Sequence, residues 1–349
     1  AAWVVEGSIP YKDVFSEYPQ VPNYLFSVPF IVLSIFQPIE TVNSFQYTAL
    51  FSFMMLAFLA LTIILLYRLL PENKDRAFLL LLPASLYFTF NRFDILPAYL
   101  TLLSIALVYR NKMSWAVVLL GIGTMTKWYP ALLFPIYLTF EFHQTKKINW
   151  RMVAVFLTTI IIVVSPTYIT GGWEAIKVPY SAHLARGFEL VSLPALIQRI
   201  ILAPLDIEHI SNFLGYGFLF LQFLPAMLSP FLRLDTKESV ARWSIISIGF
   251  FIIFSQIYSP QWLLWFLPFL IIVSRTRKDI FYIVLYDLLI YLAFPVITDT
   301  MGVTSGAMVI LNSISLALLI TILIRTFKQM EQKLSLENAQ SFFLGALGK

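Results

Sequence analysis

Cysteine is absent from the 349 residues, and histidine occurs only three times. The first absence excludes disulfide frameworks, thiolate metal sites and cysteine nucleophiles, and the scarcity of the second leaves little for metal binding. Charge is scarce as well. Asp, Glu, Lys and Arg make up 12% of the chain, against about a quarter in a soluble domain. With 59% hydrophobic residues and a mean hydropathy of +0.80, a soluble globular enzyme is excluded, and repeated long apolar runs point to one polytopic membrane bundle. The net charge of +5 does not imply nucleic acid as a partner, because basic residues in a membrane protein mark cytoplasmic loops. Convincing internal repeats and low-complexity tracts are missing. The opening Ala1-Ala2-Trp3-Val4-Val5-Glu6 has no initiator Met, and no charged segment precedes an apolar core, so no signal peptide is visible. The natural protein is expected to begin further upstream.

What the chain does have is eleven apolar stretches, at about 45–68, 77–91, 95–109, 113–126, 130–142, 152–170, 212–232, 241–257, 261–274, 280–297 and 303–324. The expected fold is an all-α polytopic bundle with about eleven membrane segments in a single domain. The connections 68–76, 110–112, 146–151, 233–242, 275–278 and the tail from Arg325 are basic and alternate with the others. They hold 18 of the 24 Lys and Arg residues, which reads as cytoplasmic. The remaining six, Lys12, Arg92, Lys127, Lys177, Arg186 and Arg199, fall on the other side. The apolar segment 21–36 breaks this alternation if counted as a crossing. Its Pro22 and Pro29 suit a juxtamembrane helix better, so 1–44 is expected to be one outer loop. A second outer loop covers 171–211, and 325–349 is a cytoplasmic tail.

Several crossings are short. Counted from the nearest basic residue at 1.5 Å per residue, Arg92, Asp94, Lys127, Tyr258 and Gln261 all fall about 21–24 Å along their helices. Polar groups at that depth are costly unless they are paired or face a wet cavity, which argues for a polar cavity opening outward.

The motifs at that level each carry two readings. In Gly7-Ser8-Ile9-Pro10-Tyr11-Lys12-Asp13, followed by Glu17-Tyr18-Pro19, two carboxylates four residues apart can supply a general base, hold a hydroxylated substrate or cap turns beside proline. Arg92 and Asp94 can form a structural ion pair within their turn or face a substrate. Lys127 in Thr126-Lys127-Trp128-Tyr129-Pro130 is either a snorkelling interfacial lysine or a site cation. If the stretch Tyr180 to Ser192 is helical, His183, Arg186 and Glu189 share a face and can do no more than pair. Tyr258-Ser259-Pro260-Gln261-Trp262 is a tight turn, with or without a ligand. Asp287, inside a span, is either a transporter's proton relay or a buried helix contact. Asp299, near Thr298 and Thr300, is a weak candidate for touching substrate.

Taken together, these pieces resemble the C superfamily of membrane glycosyltransferases, and specifically glycosyltransferase family 87, the polyprenyl-phosphate-mannose-dependent mannosyltransferases. The resemblance spans the whole chain. It rests on Gly7 to Pro19, Arg92-Phe93-Asp94 before Pro97, Lys127-Trp128-Tyr129-Pro130, Arg186-Gly187 with Glu189 and Ser192, and Ser259-Pro260-Gln261 leading into Leu263-Leu264-Trp265. Gln20 and Trp262 depart from it, standing where a second Pro and a Tyr are usual. The acidic first helix that such enzymes carry upstream of the G-x-x-P-Y segment is not in this sequence. The resemblance implies inverting transfer of a hexose, mannose first, from a polyprenyl-phosphate donor to a lipid- or glycan-linked hydroxyl. That transfer takes place at the outer face of the cell membrane, without cofactor or metal. Asp13 and Glu17 are then the available catalytic carboxylates, and Arg92, Lys127 and Arg186 the cations for the donor phosphate. Tyr11, Asp94, Tyr129, His183, Glu189, Tyr258 and Gln261 are the substrate-binding candidates. A secondary transporter or a lipid-linked sugar flippase is the alternative. A transporter would carry repeated halves and broken helices near the midplane, whereas the polar residues here gather toward one side.

Overall fold

The computed structural model describes residues 7–184, 187–188, 191–205, 211–302, 305–330 and 334–346. Among these residues the only β feature is an isolated bridge between Pro10 and Val14; the rest of the regular structure is helical. In their described residues the eleven apolar stretches are mainly helical. The juxtamembrane segment forms α1 (Gln20–Ser34), and the first long span is α2 (Ser44–Leu69). A tight 3-10 stretch, Lys74–Leu81, then leads through Pro83 into α3 (Pro83–Asn91), with α4 (Ile95–Val108) and α5 (Met113–Thr124) following. Next come α6 (Leu133–Thr145), α7 (Trp150–Leu184), the short α8 (Leu193–Ile197), α9 (Ser211–Leu228), α10 (Lys237–Phe254) and α11 (Leu263–Val273). The chain closes with α12 (Arg277–Tyr291), α13 (Thr298–Met301), α14 (Gly306–Lys328) and α15 (Leu336–Ala346).

Among the described residues five helices can cross a membrane by length and composition: Ser44–Leu69, Trp150–His183, Phe213–Phe231, Arg277–Met301 and Gly306–Lys328. The pair α3 and α4, bent by 111°, makes a sixth candidate, and Met113–Thr124, Leu193–Leu205 and Pro260–Val273 are shorter apolar helices. The long and short helices occupy different places. Every residue of α11 but Ile272 is buried, as are most of α4 and α10, whereas only 17% of the most apolar window of the α7 span is. The short helices are therefore the centre, and long ones surround them. On α7 the side chains of Leu157, Ile161, Ile162, Tyr168 and Ile169 are all exposed. An apolar face of that size suits hydrocarbon and not water. The chain is a polytopic all-α membrane protein.

Among the described residues the segment 171–211 is largely helical. The α7 helix breaks at Gly172, where φ is +68°, a conformation glycine adopts without steric cost. The chain then turns helical again to Leu184, and α8 follows after the Ser192 side chain accepts the Ala195 N–H at 3.2 Å as its N-cap.

The basic connections meet at one end. Arg76 donates to the Ser274 carbonyl and, at 3.4 Å, to that of Arg275. Arg275 reaches Glu238 at 2.8 Å, and Arg325 reaches Asp279 at 2.8 Å. Tyr109 Oη donates to the Lys237 carbonyl and Gln144 Nε2 to that of Asp235, both at 2.9 Å. Capping boxes, Thr236 with Ser239 and Thr276 with Asp279, start α10 and α12 at this same end. The opposite end carries the motifs.

Candidate active site

The centre of that opposite end is Lys127, two residues past the C-cap of α5. Its ammonium lies 4.6 Å from the centroid of the Phe93 ring, 4.9 Å from Tyr18 and 5.9 Å from Trp265. The Asp94 carboxylate is 3.8 Å away. Asp94 is almost fully buried and also accepts the indole N–H of Trp265 on Oδ1 at 2.8 Å. Four separate chain segments thus supply one cation and its surroundings. The first loop brings Tyr18, the α3–α4 bend brings Phe93 and Asp94, the end of α5 brings Lys127, and α11 brings Trp265. A backbone bond from Val21 N–H to the Met125 carbonyl, 3.0 Å, pins the first loop against the end of α5.

Aromatic stacking fixes the walls. Tyr129 stacks on Trp265 at 4.4 Å, and Trp265 on Trp262 at 4.6 Å. On the other side Trp128 stacks on Tyr180 at 5.2 Å and meets the His183 ring edge-on at 4.4 Å. Each such pair adds about 0.5–1.5 kcal/mol beyond burial. The shell is therefore rigid, and its polar atoms are held in place.

Within that shell polar demand exceeds supply. Asp94 Oδ2, Trp128 Nε1 and both ends of the fully buried Gln20 amide have no hydrogen-bond partner among the described residues. Each such group costs about 1–3 kcal/mol if left unpaired, a cost that an ordered water or a bound ligand relieves.

The sequence-derived residues fall into three groups. Lys127 and Asp94 come together as expected, but Arg92 does not pair with Asp94. Its side chain is exposed and donates to the Asn91 carbonyl at 3.3 Å, because the bend turns Asp94 inward to Lys127 and Trp265. Asp13 is exposed, and its Oδ2 accepts the Ile9 N–H at 2.8 Å, closing the turn in which Tyr11 takes a positive φ of 66°. Glu17 and Gln261 are partly buried. Arg186 and Glu189 lie outside the described residues.

Tyr11, Tyr129 and Tyr258 are buried, with their hydroxyls engaged by protein groups. Tyr11 Oη donates to the Tyr18 carbonyl at 2.7 Å and accepts from Asn23, and burial pushes its phenol above the ordinary value. Tyr129 is fully buried with its hydroxyl 3.2 Å from Thr101, and Tyr258 is buried with its hydroxyl bonded to Tyr286. Trp265, Tyr18 and Phe93 surround the Lys127 ammonium, although the sequence reading did not single them out. Trp265 had a signal, as the second of two tryptophans spaced i and i+3 beside the Ser-Pro-Gln turn. Asp287 resolves as a helix contact: it accepts from Ala84 N at 2.9 Å, Ser85 N at 3.1 Å and Ser85 Oγ at 2.7 Å, capping α3 from the side. The exposed Asp299 takes no part in the centre. Among the described residues no three acidic, His or Cys side chains gather as metal ligands.

A half-buried cation with its buried counter-carboxylate, walled by aromatic rings, thus stands at one end of a membrane bundle. The sequence model of glycosyltransferase family 87 matches residues 25–255, and the chain belongs to this family; it is a glycosyltransferase. No curated protein matches the chain at a significant level.

Proposed function

We infer that the protein transfers a hexose, mannose in the first instance, from a polyprenyl-phosphate donor to a lipid- or glycan-linked hydroxyl at the outer face of the cell membrane. The observation that carries this reading is the Lys127 centre, a cation set among unsatisfied polar atoms and stacked rings. Rings of that kind suit the apolar faces of a sugar, and orphaned donors and acceptors suit its hydroxyls.

In the proposed reaction the acceptor hydroxyl attacks the donor's anomeric carbon with inversion. The carbon–oxygen bond to phosphate breaks, and the lipid phosphate leaves with the electron pair. A carboxylate takes the hydroxyl proton. Asp13 is the first choice for that role and Glu17 the second, both standing on the loop that Val21 pins to the end of α5. Lys127 meets the charge that grows on the phosphate, with Arg92 and Arg186 as further cations, while Tyr11, Asp94, Tyr129, His183, Glu189, Tyr258 and Gln261 are the candidates for binding the sugars. A positioned cation of this kind contributes a few kcal/mol in the transition state. Lys127→Ala should then lower transfer from radiolabelled polyprenyl-phosphate mannose in reconstituted vesicles by about a hundredfold or more. Wild-type turnover by folded Lys127→Ala would sink the reading. In the same assay Asp13→Asn should abolish transfer while donor binding persists.

A further inference from the structure

The break in α7 borders a recess beside the Lys127 centre. Past Gly172 the helix runs over the first loop and borders an open cleft of about 460 Å³, lined by Tyr11, Lys12, Gly171, Glu174, Lys177 and Ser181 among others. Gly171 stands at the break itself: a Cβ there would lie 2.5 Å from that of Ala175 across the kink, and at 3.6 Å only in ordinary contact with that of Lys12.

Two lysines from distant parts of the chain face this one space. Lys12 is exposed and makes no ion pair among the described residues. Lys177 pairs with Glu174 at 2.7 Å, but both side chains are largely exposed. Exposed pairs are weak, and phosphate oxygens accept stronger, charge-assisted bonds from an ammonium. Lys177 is therefore free to exchange partners. The volume is far more than a phosphate fills and falls within the range of sites that hold a whole small ligand.

The depth of the cleft gives the ligand's source. Tyr168, Ile169 and Trp173, all exposed, flank the break in α7, and exposed aromatic residues of this kind collect at the headgroup level of a membrane. Tyr180, one turn beyond Lys177, stacks on Trp128 next to Lys127, and Tyr11 Oη bonds the carbonyl of Tyr18, whose ring covers Lys127. The cleft and the cation centre thus share walls. We propose that this cleft is the acceptor subsite and holds the phosphate-bearing headgroup of a membrane lipid between Lys12 and Lys177. The word acceptor rests on the transfer reading above, whereas the binding itself does not.

The test uses the full chain in neutral detergent, with phosphatidylglycerol as the anionic probe and phosphatidylcholine as its neutral comparison, and counts retained lipid by native mass spectrometry. Wild-type protein should retain phosphatidylglycerol in preference. Lys12→Gln combined with Lys177→Gln should weaken that retention by about tenfold or more, as loss of charge-assisted contacts does. Ser181→Trp, which fills the cleft without changing charge, should do the same. Lys146→Gln with Lys147→Gln, an equal loss of charge far from the cleft, should retain wild-type occupancy. Undiminished retention by either cleft variant, or an equal loss in the Lys146 and Lys147 control, overturns the site. In transfer assays the Lys12 and Lys177 variant should raise the KM for acceptor and leave that for donor unchanged. If lipid binding falls and both KM values hold, the acceptor assignment is wrong. If wild-type protein binds the lipid but transfers no sugar, the failure belongs to the transfer reading.

Discussion

Lys127 and Asp94 show how a charged pair survives in a bundle this apolar. Asp94 is nearly fully buried while the Lys127 side chain keeps some exposure, so the carboxylate carries most of the desolvation cost. The Trp265 N–H and the ammonium offset part of it, and the three rings around Lys127 contribute through cation–π attraction, about 0.5–2 kcal/mol for each well-placed ring. Breaking such a pair on one side is costlier than removing both members, because it leaves a buried charge without its partner. Asp94→Ala should therefore lower unfolding stability in detergent by about 3 kcal/mol. The double variant Asp94→Ala, Lys127→Met should recover part of that loss, with a coupling energy of about 0.5–3 kcal/mol. Additive losses would show that the 3.8 Å contact carries no energy. The sequence exposed Lys127 and Asp94 as candidates because charge is rare in it, but not their pairing. Arg92 lies only two residues from Asp94, and nothing in the local spacing says that the bend turns one carboxylate inward and leaves the neighbouring guanidinium outside.

The element that aims this turn is α3. It is only nine residues long and begins inside the bundle, where its first N–H groups find no water. Pro83 at its first position removes one donor, and Asp287 from α12 accepts from Ala84 and Ser85. At the far end Ser52 of α2 donates to the Phe90 carbonyl at 2.9 Å. The helix is thus held at both ends, and its C-terminus delivers Arg92, Phe93 and Asp94. Asp287 is accordingly a positioning residue. Asp287→Ala leaves three donors without acceptors and should cost about 3 kcal/mol or more in stability. Asp287→Asn retains one acceptor oxygen and should cost less. If α3 aims the site, transfer by Asp287→Asn should fall in kcat while the donor KM changes little, at a temperature where the protein is fully folded. Wild-type kcat in a measurably destabilised Asp287→Asn would reduce the residue to a structural cap. Hydropathy located the apolar stretch 77–91 but not its division into a 3-10 run and a short helix. That division depends on Pro83 and on a carboxylate two hundred residues away. The helix after Gly172 was hidden for a related reason: Trp173 to Leu184 mixes polar and apolar residues, and only its packing over the first loop orders it.

At the scale of the molecule the sequence was most legible, because the membrane imposes long apolar runs and basic turns that do not depend on fine packing. The centre and rim were not legible. The most apolar short stretches, such as 263–273, are enclosed by protein, while longer ones with similar hydropathy face lipid, and hydropathy alone reads both as membrane segments. Which way the bundle sits in the membrane follows from charge. The connections at 76, 110, 146, 235, 275 and 325 converge at one end through the bonds from Arg76, Arg275, Arg325, Tyr109 and Gln144, and that end carries most of the basic residues. Lys and Arg are retained on the cytoplasmic side, so this end should face the cytoplasm and the Lys127 centre the outside. The chain contains no cysteine, so single cysteines can be introduced without background. In intact cells an impermeant thiol reagent should label cysteines replacing Lys12 and Lys177. Cysteines replacing Lys112, Lys146 and Lys278 should react only after the membrane is opened. Labelling of Lys112→Cys or Lys146→Cys from outside would falsify this orientation, and with it the placement of sugar transfer at the outer face.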